Sequence, residues 1–181
     1  MLRVIAGEAK GLRLETPEGS VRPTSDRARE ALFSILHMRL MGARFADLYA
    51  GSGANGIEAL SRGAAHCAFV DSDSRAINSI GKNLFHTKLG HKSRSYQLTL
   101  PESLGVLADK ESAFDIVFCD PPYAAADYAR LLSEIYKHKL VAADGLVIIE
   151  HESKLTLPQS VGVLEKQREA HYGRVGMTFF A

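Results

Sequence analysis

The stretch Asp47-Leu48-Tyr49-Ala50-Gly51-Ser52-Gly53-Ala54-Asn55-Gly56 decides how this chain folds. An apolar run from Phe45 leads into it, and a helical pattern leads out of it towards Arg62. Gly51, Gly53 and Gly56 match G-x-G-x-x-G, the turn from strand to helix in which backbone approaches a ligand closely. Asp71 ends the next apolar run 20 residues beyond Gly51, where a carboxylate can accept hydrogen bonds from ribose hydroxyls. On these residues alone a nicotinamide or flavin enzyme, a methyltransferase and an unliganded turn all remain open. Asp47 shifts the balance. A carboxylate ending the first strand is misplaced beside a pyrophosphate, which prefers donors and the positive helix end, but it suits an ammonium group. The candidate cofactor residues are therefore Asp47, Gly51, Ser52, Gly53, Gly56 and Asp71, with nearby Asp73 free to cap the following helix instead.

Outward from this loop the pattern alternates. Strands are expected near Phe45–Tyr49, Cys67–Asp71, Ser93–Leu98, Phe114–Cys119 and Gly145–Glu150. Helices are expected near Gly56–Arg62, Ser74–His86, Glu102–Ala108 and Tyr128–Lys139. Such alternation with apolar strands implies a mostly parallel sheet covered on both faces, and the tail from Val161 to Phe180 reads as two more strands. Ahead of the alternation, Arg3–Gly7 and Gly11–Leu14 read as short strands about a turn. Thr24 or Ser25 is expected to cap a helix reaching about Leu40, with Ala28, Ala31, Leu32, Ile35 and Leu36 on one face. The expected organisation is one domain over 1–181, an N-terminal extension (1–42) on a catalytic α/β core (43–181).

With 181 residues, 46% hydrophobic and 24% charged, the chain suits one core, and it has no apolar run long enough to span a membrane. No signal peptide is read at Met1–Gly7, and Cys67 and Cys119 lie in apolar runs without metal-ligand spacing. A cytoplasmic protein with reduced core cysteines and no metal is expected. Net charge is only +1 but unevenly spread. Met1–Arg44 holds eight Lys/Arg against five Asp/Glu, and Ser74–Pro101 holds five Lys/Arg and no acid. Basic segments on a near-neutral chain suit a polyanionic partner, although a solvated helix face explains the second equally well.

The chemistry is carried by Asp120-Pro121-Pro122-Tyr123, at the end of the fourth expected strand. An exocyclic amino nitrogen is a poor nucleophile because its lone pair is delocalised into the ring. The Asp120 carboxylate and the Pro121 carbonyl can accept its two hydrogens and turn that lone pair towards a sulfonium. The paired prolines fix φ and remove competing donors, and Tyr123 offers a face on which a base can stack. Catalysis is then mostly positioning, with S-adenosylmethionine as cofactor and S-adenosylhomocysteine as product. Asp120 belongs to both the catalytic and the cofactor-binding sets. A Pro-rich turn capped by Asp120 is the bland alternative, and the glycine loop three strands earlier weighs against it.

With these residues in place, the chain resembles the bacterial 16S ribosomal RNA (guanine-N2)-methyltransferase family, the RsmD-like proteins, over nearly its whole length. The matching pieces are Arg3–Gly7, Arg22–Arg27, Glu30–Phe33, Asp47–Gly56, Glu58–Ala64, Asp120–Tyr123, Glu150-His151 and Tyr172-Gly173. The resemblance implies a Rossmann-like class I methyltransferase fold with a seven-stranded sheet and a short N-terminal hairpin and helix. It also implies a guanine in 16S ribosomal RNA as target, within a partly or fully assembled small subunit. The chain departs from the family at Asp71, where Glu is usual, and at Tyr96–Leu100, which has no acid and leaves backbone or Gln97 to read the adenine. Arg174-Val175 replaces the usual Asp-Thr.

Lys10, Arg13, Arg22, Arg27 and Tyr123 are the candidate RNA contacts, Arg22 and Arg27 being able to meet either phosphates or the cofactor carboxylate. His151 is either a pocket residue or a solvent histidine. A DNA adenine-N6 or protein glutamine methyltransferase would use the same tetrapeptide, though usually with a separate recognition domain. A nicotinamide oxidoreductase leaves the tetrapeptide unexplained, and a non-catalytic assembly factor is the remaining class.

Overall fold

Alternating side chains along each strand feed two separate apolar layers, one on each face of a single sheet. The computed structural model describes residues 2–17, 26–123 and 127–181. Among these the elements run α1 (Asp26–Leu40), β1 (Arg44–Leu48), α2 (Ala54–Ser61), β2 (His66–Asp71), α3 (Ser74–Thr87), β3 (Ser93–Gln97), α4 (Leu104–Lys110) and β4 (Phe114–Cys119). They continue with α5 (Tyr128–Lys137), β5 (Val141–Glu152), β6 (Ser160–Val161), β7 (Leu164–Tyr172) and β8 (Val175–Phe180). Phe45, Phe69, Ile116, Phe118 and Ile148 face α1, α2 and α3, packing on Leu32, Ile57 and Ile80. Their neighbours Ala46, Val70, Val117, Cys119 and Ile149 face α4 and α5, packing on Leu107, Leu132 and Ile135. Both faces are dry, as parallel strands require. Cys67 and Cys119 are free thiols inside these layers, and burial raises both pKa values, which keeps them protonated.

The strand order is β3-β2-β1-β4-β5-β8-β7-β6, parallel from β3 to β5 and antiparallel beyond. The expected seven strands become eight, because Ser160 and Val161 pair with Glu165 and Leu164 across a turn at Gly162. Two residues are too few to show a periodicity. Strand β5 also starts earlier than expected, its register jumping from Phe114↔Val141 to Ile116↔Leu146, so a bulge replaces the loop read there. Gly173, at φ 65, and Arg174 make the two-residue turn between β7 and β8. The turn uses the backbone of Arg174, whose carbonyl accepts from Ser153 N at 2.9 Å.

The N-terminal segment forms the expected hairpin, with Val4 N bonded to Leu12 O and Leu14 N to Leu2 O. It is held on the α1–α3 face by the end of α2. Fully buried Glu58 accepts from Ile5 N at 2.8 Å and Ala6 N at 3.0 Å, and Ser61 Oγ accepts from Ala9 N at 3.0 Å. Gly7 lies so close that an added Cβ would sit 1.8 Å from Ser61 O. The expected cap at Thr24 or Ser25 lies outside the described residues, as does Arg22.

Candidate active site

Three loops leave the carboxyl ends of adjacent strands at one place. Strand β1 lies between β2 and β4, with Leu48 paired to Val70 on one side and Cys119 on the other. The glycine loop, Asp71 and Asp120 therefore emerge side by side, and Asp120 N donates to Leu48 O at 3.2 Å. The chain runs outward from β1 to β3, then returns to lay β4 on β1's other edge, which makes β1/β4 the switch point where such sheets open a ligand crevice. Gly51 and Gly53 adopt φ 55 and 76, a region that side chains disfavour, and a Cβ on Gly51 would meet open space. Gly56 serves packing instead, since a Cβ there would come 2.3 Å from the Phe69 ring. Tyr49, a non-glycine residue at φ 61, adds strain where the strand turns into the loop.

The acids around this turn are anchored and desolvated. Asp47 is buried, its Oδ2 accepting from Gly56 N at 2.8 Å, so it satisfies one orphan donor of the first turn of α2. Burial outweighs that bond and, with Asp120 and Asp71 nearby, pushes its pKa up to about 8. Burial likewise raises Asp120 to about 7. Asp71 spreads its oxygens over the loop, accepting from Gly51 N at 2.8 Å and Asp73 N at 2.9 Å. Asp73 caps α3 through Arg75 N and pairs with the Arg75 guanidinium, which leaves Asp71 the better ribose partner. Two acids held above their ordinary range make a site that a cation would relieve. Buried Asn55 Oδ1, inside the glycine loop, has no hydrogen-bond partner. This acid-lined turn fits the ammonium and sulfonium of S-adenosylmethionine better than a pyrophosphate.

Beyond Asp120 the tetrapeptide turns outward, with Pro121 buried and Tyr123 41% exposed. Asp120 and Glu150 both help raise the Tyr123 pKa after burial. His151 is fully buried within β5, not a solvent histidine. It bonds Thr178 Oγ1 at 2.8 Å and Glu152 O at 2.9 Å, and its pKa is lowered by burial, so it stays neutral. Tyr128 meets its ring edge-on at 6.2 Å.

Lys10, Arg13 and Arg27 are all exposed, on the hairpin and on the first turn of α1. The hairpin strand reaches the glycine loop through a residue that the sequence did not single out. Buried Asn83 of α3 donates to Ser52 O and to Glu15 O, both at 2.9 Å, and accepts from Glu15 N at 2.8 Å. Glu58, which anchors the hairpin, and Tyr49, where the strand turns into the loop, were not singled out either. A single asparagine or glutamate in a helical run carries no pattern; only the burial of its partners reveals it.

Comparison with known proteins follows the same lines. A family model described as "Conserved hypothetical protein 95" matches residues 2–181. The chain belongs to this family. It is 38% identical to "Putative rRNA methyltransferase YlbH" of Bacillus subtilis (strain 168), over 99% of this chain and 98% of that one. It is 31% identical to "Ribosomal RNA small subunit methyltransferase D" of Escherichia coli (strain K12), over 99% and 89% respectively. The solved structure of "Putative methyltransferase yhhF from Escherichia coli" superposes with a TM-score of 0.85 at 32% identity, covering 99% of this chain and 96% of that one. The family's fold is the class I S-adenosylmethionine-dependent methyltransferase fold, and the sheet here has it, with β6 as an added edge. Two segments that carry the family resemblance, Arg3–Gly7 and Glu58–Ala64, meet through the Glu58 and Ser61 hydrogen bonds.

Proposed function

We propose that this chain transfers a methyl group from S-adenosylmethionine to the exocyclic N2 of a guanine in 16S ribosomal RNA, in the cytoplasm and within a partly or fully assembled small subunit. The observation that carries the reading is a desolvated Asp120 beside Asp47 and the glycine loop, in a chain whose relatives are named as small-subunit ribosomal RNA methyltransferases. Asp47, Gly51, Ser52, Gly53 and Gly56 hold the methionyl part of the cofactor, and Asp71 holds the ribose. Gln97 donates to Ser72 O at 3.3 Å, so its own carbonyl oxygen is the acceptor available to the adenine amino group. When bound, the cofactor supplies a methyl group on a sulfonium that departs as a neutral thioether.

The protein's part is to place the nucleophile. The Asp120 carboxylate and the Pro121 carbonyl accept the two amino hydrogens, and the nitrogen lone pair turns in line with the methyl group. Pro122 stiffens the turn, and Tyr123 stacks on the guanine. After attack the nitrogen carries an extra proton, and Asp120, already biased towards protonation by burial, takes it. Lys10, Arg13, Arg22 and Arg27 contact RNA phosphates. The experiment is tritiated methyl transfer offered to protein-free 16S RNA, small subunits and DNA, followed by nucleoside analysis. Label in N2-methylguanosine from RNA or subunits is expected. Label confined to DNA, or to another base, overturns the reading.

A further inference from the structure

Between the N-terminal hairpin and α3 runs an open groove of about 860 Å³, lined by Arg13 and Glu15 on one side and Lys82, Asn83, Phe85 and His86 on the other. Small-ligand clefts span roughly 300–1,000 Å³, so a nucleotide has room. Phe85 is 88% exposed although it sits on a helix whose inner face is properly packed by Ile80 and Leu84. A bare ring offers a flat face on which a base can stack. Arg13, Lys82 and His86 line the groove against one acid, Glu15, and that acid's ion pair with Lys82, at 3.3 Å, is exposed and weak. Lys10 and Lys88 stand exposed on the hairpin turn and at the end of α3, and no acid occurs between Ser74 and Pro101.

A bare aromatic ring in a groove that cations also line is the arrangement that holds single-stranded nucleic acid, the ring stacking a base and the cations tracking phosphates. We infer that this groove binds an unpaired nucleotide of the RNA substrate, its base stacked on Phe85 and its flanking phosphates on Arg13 and Lys82. The inference rests on RNA being the substrate. The groove is tied to the cofactor loop, because Asn83 in its wall donates to Ser52 O in the glycine loop. A strand seated there is thus registered against the loop that holds the cofactor.

The chain contains no tryptophan, so Phe85→Trp introduces a sole indole reporter. Its emission should be quenched by a short single-stranded RNA of mixed sequence and by protein-free 16S RNA, and much less by an RNA duplex, whose bases are already stacked. Phe85→Ala should weaken binding of both single-stranded probes by about 5- to 100-fold with the salt slope unchanged. Arg13→Ala and Lys82→Ala should each reduce that slope by about one. S-adenosylhomocysteine affinity and melting temperature should match the parent in Phe85→Ala, since the ring is exposed. Parental RNA affinity in Phe85→Ala, or an unquenched indole, overturns the groove while leaving methylation by the parent intact. Loss of binding to assembled subunits alone, with naked RNA unaffected, makes Phe85 a protein contact and also overturns it. A parent that neither binds nor methylates RNA removes the proposed function and the groove together.

Discussion

Asp120 is the residue on which the proposed chemistry turns, and its environment makes that role measurable. Asp120→Ala should lower methyl transfer about a hundredfold or more while S-adenosylhomocysteine affinity stays near the parent's, because the carboxylate acts on the base. Near-parental turnover would reduce it to a turn cap. The same carboxylate must be ionised to accept both an amino hydrogen and, later, a proton. With its pKa raised to about 7, kcat/KM should rise with pH up to about 7 and flatten above, losing about tenfold per pH unit on the acid side. A profile flat from pH 5 to 8 would contradict that assignment. At this scale the sequence was informative where a residue belongs to a local pattern. Spacing from strand ends put the glycines, Asp47, Asp71 and Asp120 at the carboxyl edge of the sheet, which is where they lie. Asn83 and Glu58 were not singled out, because each acts on residues more than fifty positions away or on bare backbone. His151 was left between two roles, since neighbours in sequence cannot show that Thr178 closes over it.

Among the elements, the hairpin divides into an anchored inner side and a free outer one. The sequence showed a basic arm outside the α/β alternation and offered Lys10, Arg13, Arg22 and Arg27 from it as candidate RNA contacts. The structure assigns Ile5, Ala6 and Ala9 to α2, with Lys10 and Arg13 left exposed. Glu58→Ala would leave two backbone donors without their carboxylate and orphan the Arg62 side chain bonded to it at 2.7 Å. Its cost should be about 2–4 kcal/mol, seen as a fall in melting temperature of roughly 5–15 °C. Gly7→Ala should be similarly severe, since its Cβ would overlap the Ser61 carbonyl, which belongs to backbone and cannot swing away. An undisturbed melt for both variants would mean the hairpin is not docked as described. Strands and helices themselves were legible to within a few residues, because apolar periodicity is local. The two-residue β6 was not, being too short to show a periodicity, and neither was the bulge in β5, which arises from pairing with β4, distant in sequence.

For the molecule as a whole, the site is built at the expense of the empty fold. An ordinary buried carboxylate is paired, its pKa falls, and it stabilises the protein above that pKa. Asp47 goes the other way, from an ordinary value of 3.8 to about 8 in the folded chain. Between those values the folded state keeps a proton that the unfolded state has released, so the contribution of Asp47 to stability declines as pH rises from about 4 to about 8. Asp120 adds a decline in the same direction, ending near pH 7. On the acid side His151 opposes them, since its lowered pKa makes folding less favourable as pH falls below its ordinary 6.5. Asp47→Asn isolates one term. The amide keeps the acceptor for Gly56 N but cannot ionise, so the stability of the variant minus that of the parent should climb with pH between about 5 and 8, by up to about 1.4 kcal/mol per pH unit, and level off above. Denaturant melts across that range measure the difference directly. The same variant should bind S-adenosylmethionine more weakly, with the loss greatest above pH 8, where the parent offers a full carboxylate to the cationic ligand. Calorimetry in buffers of different ionisation enthalpy should show the parent releasing a proton on binding near pH 7, and Asp47→Asn releasing less. A stability difference that stays constant with pH, together with unchanged proton release, would place Asp47 outside the cation's field and leave the glycine loop held by a simple hydrogen bond.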